Sequence, residues 1–126
     1  MPANRPATLI VSLWLPVLLC MGFIFYTSSI PGTDIPPIFP FQDIAYHALL
    51  YSILAFLLSR ALIKTYPQKK SYQILFLAVV FGTLYGITDE WHQAFVPYRT
   101  VSNFDVLIDA IGSLLGGLIY PARKII

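Results

Sequence analysis

The sequence predicts an all-α fold, a bundle of four transmembrane helices with both termini in the cytoplasm, forming one integral membrane domain over residues 1–126. Three observations predict it. The chain is 57% hydrophobic and 11% charged, with a mean hydropathy of +0.72, whereas a soluble domain this small keeps much of its surface in water. Its apolar residues gather in four stretches, each near the ~20 residues that cross a ~30 Å hydrocarbon core. Its charges are partitioned, with every acidic residue and both histidines in Asp34–His47 and Asp89–Asp109 and seven of the eight basic residues outside them.

The first helix is expected over Thr8 to Tyr26. Arg5 and the small residues Thr27-Ser28-Ser29 give it some likeness to a cleaved signal peptide, but its apolar run exceeds the ~7–15 residues of a signal core, so a retained helix is the better reading. Pro16 removes a backbone donor inside it and should bend it. Cys20 is the only cysteine, so an intramolecular disulfide is excluded and thiolate metal binding has no basis. The connection Thr27 to Pro40 holds four prolines and a glycine. Such a segment cannot continue a helix, and it should lie across the outer surface as a partial cover. The second helix is expected over Ile44 to Ile63 and should end before Pro67, the third over Tyr72 to Thr88, and the fourth over Phe104 to Tyr120, ending at Pro121. Gly112, Ser113, Gly116 and Gly117 form a small-residue stripe on the fourth helix, and Gly82 and Gly86 share its spacing on the third, so these two helices are expected to pack closely.

Charge sets the orientation. Arg5, the group Arg60, Lys64, Lys69 and Lys70, and the pair Arg123 and Lys124 all fall on one side, and only Arg99 falls on the other. By the positive-inside rule the first and third connections face outward. The net charge of +2 comes from these short basic segments, which leaves little support for a nucleic-acid partner.

Helix rise converts sequence distance into depth. With Arg60 snorkelling to the cytoplasmic interface, His47 lies about 20 Å above it at ~1.5 Å per residue. Asp109 lies about 21 Å above Arg123 by the same measure. Ionisable groups at that depth should turn inward and find partners. Asp43 is one turn above His47, and Asp105 one turn above Asp109. In Thr88-Asp89-Glu90-Trp91-His92-Gln93, residues Asp89, His92 and Gln93 share a face with Glu90 beside it. Trp91, Phe95 and Tyr98 suit an interfacial aromatic belt better than a binding role. Arg99 either ties the third connection to Glu90 or Asp105 or grips an anionic head group with its fork of donors.

The order Tyr26-Thr27-Ser28-Ser29-Ile30-Pro31, Asp43-Ile44-Ala45-Tyr46-His47, Thr88-Asp89-Glu90-Trp91-His92-Gln93, Pro97-Tyr98-Arg99 and Asp105-Val106-Leu107-Ile108-Asp109-Ala110-Ile111-Gly112 resembles the VanZ-like family of small bacterial integral membrane proteins. The resemblance runs from the first helix to the last. It implies a bacterial plasma-membrane location and a cell-envelope role, since the founding member of the family is associated with resistance to the glycopeptide teicoplanin. Carried over residue by residue, it picks out Asp43, His47, Tyr51, Asp89, Glu90, Gln93, Arg99, Asp105, Asp109 and Gly112. The chain departs from the family at Ile44, where lysine is frequent, and at Tyr98, where glycine is frequent; the second departure implies a different turn before Arg99.

The expected substrate or polar cluster is therefore Asp43, His47, Tyr51, Asp89, Glu90, His92, Gln93, Arg99, Asp105 and Asp109. Three classes of function compete for it. The residues form a structural network, or they bind an envelope ligand such as a lipid-linked precursor or a glycopeptide-related molecule. Alternatively they catalyse hydrolysis of a lipid-linked or phosphate-bearing envelope substrate, with His47, Glu90 and Asp109 as acid–base candidates. An ion or proton pathway is a further reading, weakened by a cytoplasmic half in which Ser52 and Ser113 are nearly the only polar groups. Membrane lipids are expected partners. No organic cofactor is predicted, and no zinc signature, phosphate loop or Ser-His-Asp order appears, although the carboxylates and imidazoles suffice for a divalent metal.

Overall fold

Long apolar runs in lipid close all their backbone hydrogen bonds within the segment, and the chain does so along four helices, α1 (Ala7–Ser28), α2 (Gln42–Thr65), α3 (Ser71–Gln93) and α4 (Asn103–Ile125). The computed structural model describes residues 6–125, excluding the side chains of 121–125. Arg5, which entered the orientation argument, lies outside the described residues, as do the side chains of Arg123 and Lys124. Four helices are long and apolar enough to cross a membrane, and no strand occurs among the described residues. Each helix runs one to five residues past the expected ends, because sequence hydropathy fades before the backbone hydrogen bonds do.

The helices alternate in direction. Parallel α2 and α4 form the most extensive interface, α3 covers α4, and α1 packs at the periphery against α2 and α3. The glycine pattern explains this, with a correction. Gly82 and Gly86 of α3 do face Ser113 and Asp109 of α4, but Gly112 and Gly116 of α4 face α2, where added Cβ atoms would meet the backbone of Ala48 and Ser52. Two carbonyls of that contact are bridged by Ser52, whose Oγ donates to Ala48 O (2.6 Å) and Gly112 O (3.0 Å). The apolar core lies chiefly on α2, with Tyr51, Leu54, Ala55 and Ala61 fully buried against Leu13, Val17 and Ile24 of α1 and Ile74 and Ala78 of α3.

Pro121 does not end α4, contrary to expectation, since the helix continues to Ile125. A proline here leaves Gly117 O without its donor four residues on, and Ser59 Oγ of α2 donates to that oxygen instead (3.3 Å). The same device recurs at Pro16 inside α1, where Arg60 Nη1 of α2 reaches Ser12 O (3.4 Å). Arg60 thus serves a helix defect besides any role at the interface. At the same end Trp14 Nε1 donates to Thr65 Oγ1 (3.0 Å), fixing α1 to α2.

At the opposite end the two longer connections dock on each other. The first contains a 3-10 turn at Gly32–Asp34, and Gly32 N donates to Pro97 O (3.0 Å). Gly32 sits so close to the Tyr98 carbonyl that no Cβ could be placed there. Tyr98 has φ 61°, the left-handed conformation that glycine adopts without strain, so the departure from glycine keeps a backbone suited to glycine. Phe41, also at φ 61°, leads into α2, and Gln42 holds the entry by accepting from Ile38 N (2.6 Å) and donating to Pro36 O (3.1 Å).

Candidate functional site

The loop-docked end of the bundle gathers the ionisable residues. On α2, His47 is fully buried, and its Nδ1 donates to Asp109 Oδ1 of α4 at 2.8 Å, so two residues placed at equal depth by helix rise do meet. Asp43 lies one turn above His47, with Oδ1 3.8 Å from His47 Nε2, and its side chain is 58% exposed. Asp105 lies one turn above Asp109 on α4, buried like it. From α3, Asp89, Glu90 and Gln93 are buried towards the same space. Tyr51 stacks beside the His47 ring at 6.2 Å and donates to Asp89 Oδ2 at 3.3 Å. Glu90 Oε2 accepts from Ser102 N (3.1 Å), tying the cluster to the start of α4.

Two expected members stand elsewhere. His92 is turned towards α1, where its ring stacks on Phe25 at 4.4 Å and its nitrogens meet Ser28 Oγ (3.0 Å) and Ser29 Oγ (3.3 Å). Spacing along α3 placed it with Asp89 and Gln93, but one helix turn spans enough arc for the flanks of a polar face to meet different neighbours. The serines were the missed signal, being adjacent hydroxyls at the end of an apolar helix beyond Thr27, whose own hydroxyl turns back to Phe23 O and Ile24 O. Arg99 forms no ion pair with Glu90 or Asp105; among the described residues the ion pairs within 4.0 Å are those of His47 with Asp43 and Asp109. Trp91, Phe95 and Tyr98 are exposed, as an interfacial belt requires.

Arg99 instead borders a cavity of about 430 Å³ under the first connection, with Asp43 and Asp34 also at its edge. Its walls include Ile30, Ile38 and Leu49. Ile38, in the first connection, and Leu49, on α2, are themselves exposed. Tyr46, unremarked in the sequence, lines the cavity and has a buried hydroxyl with no partner among the described residues. Below the cluster Ser52 and Ser59 are engaged with the carbonyls of Gly112 and Gly117, and the buried Ser113 hydroxyl stands without a partner, so among the described residues few polar groups are left to line a route through the other half.

Several atoms of the cluster remain unsatisfied by protein. His47 Nε2, Glu90 Oε1, Gln93 Nε2 and Asp109 Oδ2 are buried without a hydrogen-bond partner among the described residues. With Nδ1 donating to Asp109, a neutral His47 presents Nε2 as a lone pair, available to a proton or another electrophile.

Comparison with proteins of curated function and with solved structures gave no match. The VanZ/LLP1 family model matches residues 13–125, nearly the whole chain, and its span includes both connections and every residue of the cluster. Four membrane-length helices, the convergence of Asp43, His47, Glu90, Asp105 and Asp109, and this match agree: the chain belongs to the VanZ-like family of membrane proteins.

Proposed function

We propose that the chain is a multi-pass protein of the bacterial plasma membrane, with its polar cluster facing outward, that binds the anionic head group of an amphiphilic envelope ligand. Lipid-linked precursors and glycopeptide-related molecules share that chemistry, and altered teicoplanin susceptibility is the resulting phenotype. The observation carrying the proposal is the cavity under the first connection, where an apolar wall, exposed Leu49 and Ile38, and an Arg99 side chain free of ion pairs stand together. An amphiphile entering from the outer leaflet would lay its apolar part against that wall and its anion on the guanidinium, which favours planar, two-point contact with phosphate or carboxylate.

Teicoplanin susceptibility of a host with and without the chain, together with mass spectrometry of lipids that co-purify with it, tests the reading. Arg99→Ala should abolish both effects and Arg99→Lys should retain part of each. Unchanged susceptibility with no enriched amphiphile refutes it. Labelling of Lys69, exposed between α2 and α3, tests orientation, since reaction from outside intact cells would reverse the assigned topology.

A second reading, hydrolysis of a lipid-linked or phosphate-bearing substrate, is supported by the His47–Asp109 pair, in which a carboxylate orients an imidazole whose other nitrogen is free. Full activity of folded His47→Ala and Glu90→Gln proteins would remove it. A proton or ion pathway has less support, because below the cluster Ser52 and Ser59 are already engaged with carbonyls and Ser113 alone is left unpartnered; proton flux in liposomes that disappears in Asp109→Asn would restore it.

A further inference from the structure

We infer that Asp43, His47 and Asp105 form a site for a divalent first-row transition-metal ion at the outer edge of the cluster. One donor atom from each residue lies within 4.8 Å of the other two. Donors held at ~2.0–2.2 Å from such an ion stand roughly 3–4 Å apart, so the three need to close by about 1–2 Å at most. Asp43 is the moving part, as its side chain is exposed and its Oδ1 already stands 3.8 Å from His47 Nε2.

Two independent features point to a cation. The first is His47 itself, a fully buried imidazole whose Nε2 has no hydrogen-bond partner among the described residues while Nδ1 donates to Asp109 at 2.8 Å. Metal-ligating histidines show that arrangement, with the non-ligating nitrogen given to a carboxylate that fixes the tautomer and raises basicity. The second is charge. Asp43, Asp89, Glu90, Asp105 and Asp109 converge on this one imidazole, and Arg99 pairs with none of them. Buried like charges need compensation, and a divalent ion between Asp43 and Asp105 supplies it while drawing on the lone pair of Nε2. Glu90 Oε1, buried without a partner among the described residues, is then free to accept from a metal-bound water.

The donor set selects the ion. One imidazole and two carboxylates, with the remaining positions open to water through exposed Asp43, suit Mn²⁺, Fe²⁺ or Zn²⁺ better than Mg²⁺ or Ca²⁺, which take oxygen ligands. The same His47 also lies within 4.8 Å of donors on Asp89 and Glu90, but these are fully enclosed, and Nε2 is the nitrogen directed to Asp43. The inference does not rest on the amphiphile reading: Asp43 also borders the cavity, but Arg99, which that reading requires, supplies no ligand here.

The test is calorimetric titration of the full-length protein in detergent micelles with Mn²⁺ and with Zn²⁺, after chelator treatment, with thermal melting in parallel. One equivalent should bind and raise the melting temperature. Asp43→Asn, an exposed substitution that leaves the packed core intact, should weaken binding at least tenfold, His47→Gln and Asp105→Asn should abolish it, and His92→Ala should leave it unchanged. Asp109→Asn should weaken binding by about 10–100-fold at unchanged stoichiometry. No saturable binding by the folded wild-type protein overturns the proposal. So does binding lost in Asp89→Asn but retained in Asp43→Asn, which would move the ion inward, or binding lost in His92→Ala, which would mean adventitious attachment at the other histidine.

Discussion

Gly112→Ala, Gly116→Ala and Gly22→Ala form a graded series in which one chemical change is expected to take opposite signs. In an exposed helix interior, glycine to alanine gains about 0.8–1 kcal/mol from backbone entropy. Gly22 of α1 has nothing within 4 Å of an added Cβ, so the gain should appear there undiminished or nearly so. At Gly112 the new Cβ would lie 2.8 Å from Ala48 O and 3.3 Å from Ala48 Cα. Relief requires α2 and α4 to part by about 0.5 Å, and overpacking of this kind costs about 1–3 kcal/mol, so the net effect is a loss of roughly 1 kcal/mol. The displacement would also stretch the Ser52 Oγ–Gly112 O bond from 3.0 Å to the limit of hydrogen bonding and strain the His47–Asp109 bond one turn away. Gly116→Ala should be the worst, because its Cβ would fall on the Ser52 carbonyl itself. Thermal or denaturant melts of the purified variants in micelles should give the order Gly22→Ala, wild type, Gly112→Ala, Gly116→Ala from most to least stable. Equal stability of Gly112→Ala and Gly22→Ala would show that α2 and α4 are not in backbone contact, and the site geometry built on that contact would fall with it.

Other perturbations test separate parts of the structure. Ser59→Ala should destabilise by about 1–2 kcal/mol, because Gly117 O is left without a donor, and Pro121→Ala should recover much of the loss by restoring one; additive losses in a melting double-mutant cycle would refute the pairing. Tyr51→Phe should cost only about 0.6–1 kcal/mol, as polar contacts between membrane helices are individually modest, with the fold retained by circular dichroism. Gly32→Ala should separate the first and third connections, raising labelling or proteolysis of both while the helix melting temperature stays near wild type; protection unchanged from wild type would contradict the docking.

The helices and their number were legible because lipid imposes a length and a hydropathy that the sequence states directly. The meeting of His47 and Asp109 was legible for a related reason, since helix rise is fixed and an ionisable group at depth must turn inward. What spacing could not supply was azimuth relative to neighbours. His92 shares a face with Asp89 in sequence, yet its arc meets Ser28, Ser29 and Phe25 of α1. Gly112 and Gly116 looked like partners for Gly82 and Gly86, but one small-residue helix can serve two interfaces, and theirs is α2. Pro121 was misread because a breaker's effect depends on whether another helix brings a donor to the orphaned carbonyl, information held at Ser59, 62 positions earlier. For Arg99 the sequence left two readings open, a tie to Glu90 or Asp105 and a grip on an anion; the ion pair of the first is absent, and Arg99 borders the cavity instead.

The mending of two proline breaks by α2 has a consequence for assembly. Until α2 stands beside α1, Ser12 O lacks its side-chain donor, and Gly117 O is left unpaired, at a cost of up to several kcal/mol in hydrocarbon, if α4 enters before its place against Ser59 is open. Neither outer helix is at ease in the bilayer alone. Insertion is therefore coupled to packing, with the second segment acting as the template on which the first and last complete their own backbones.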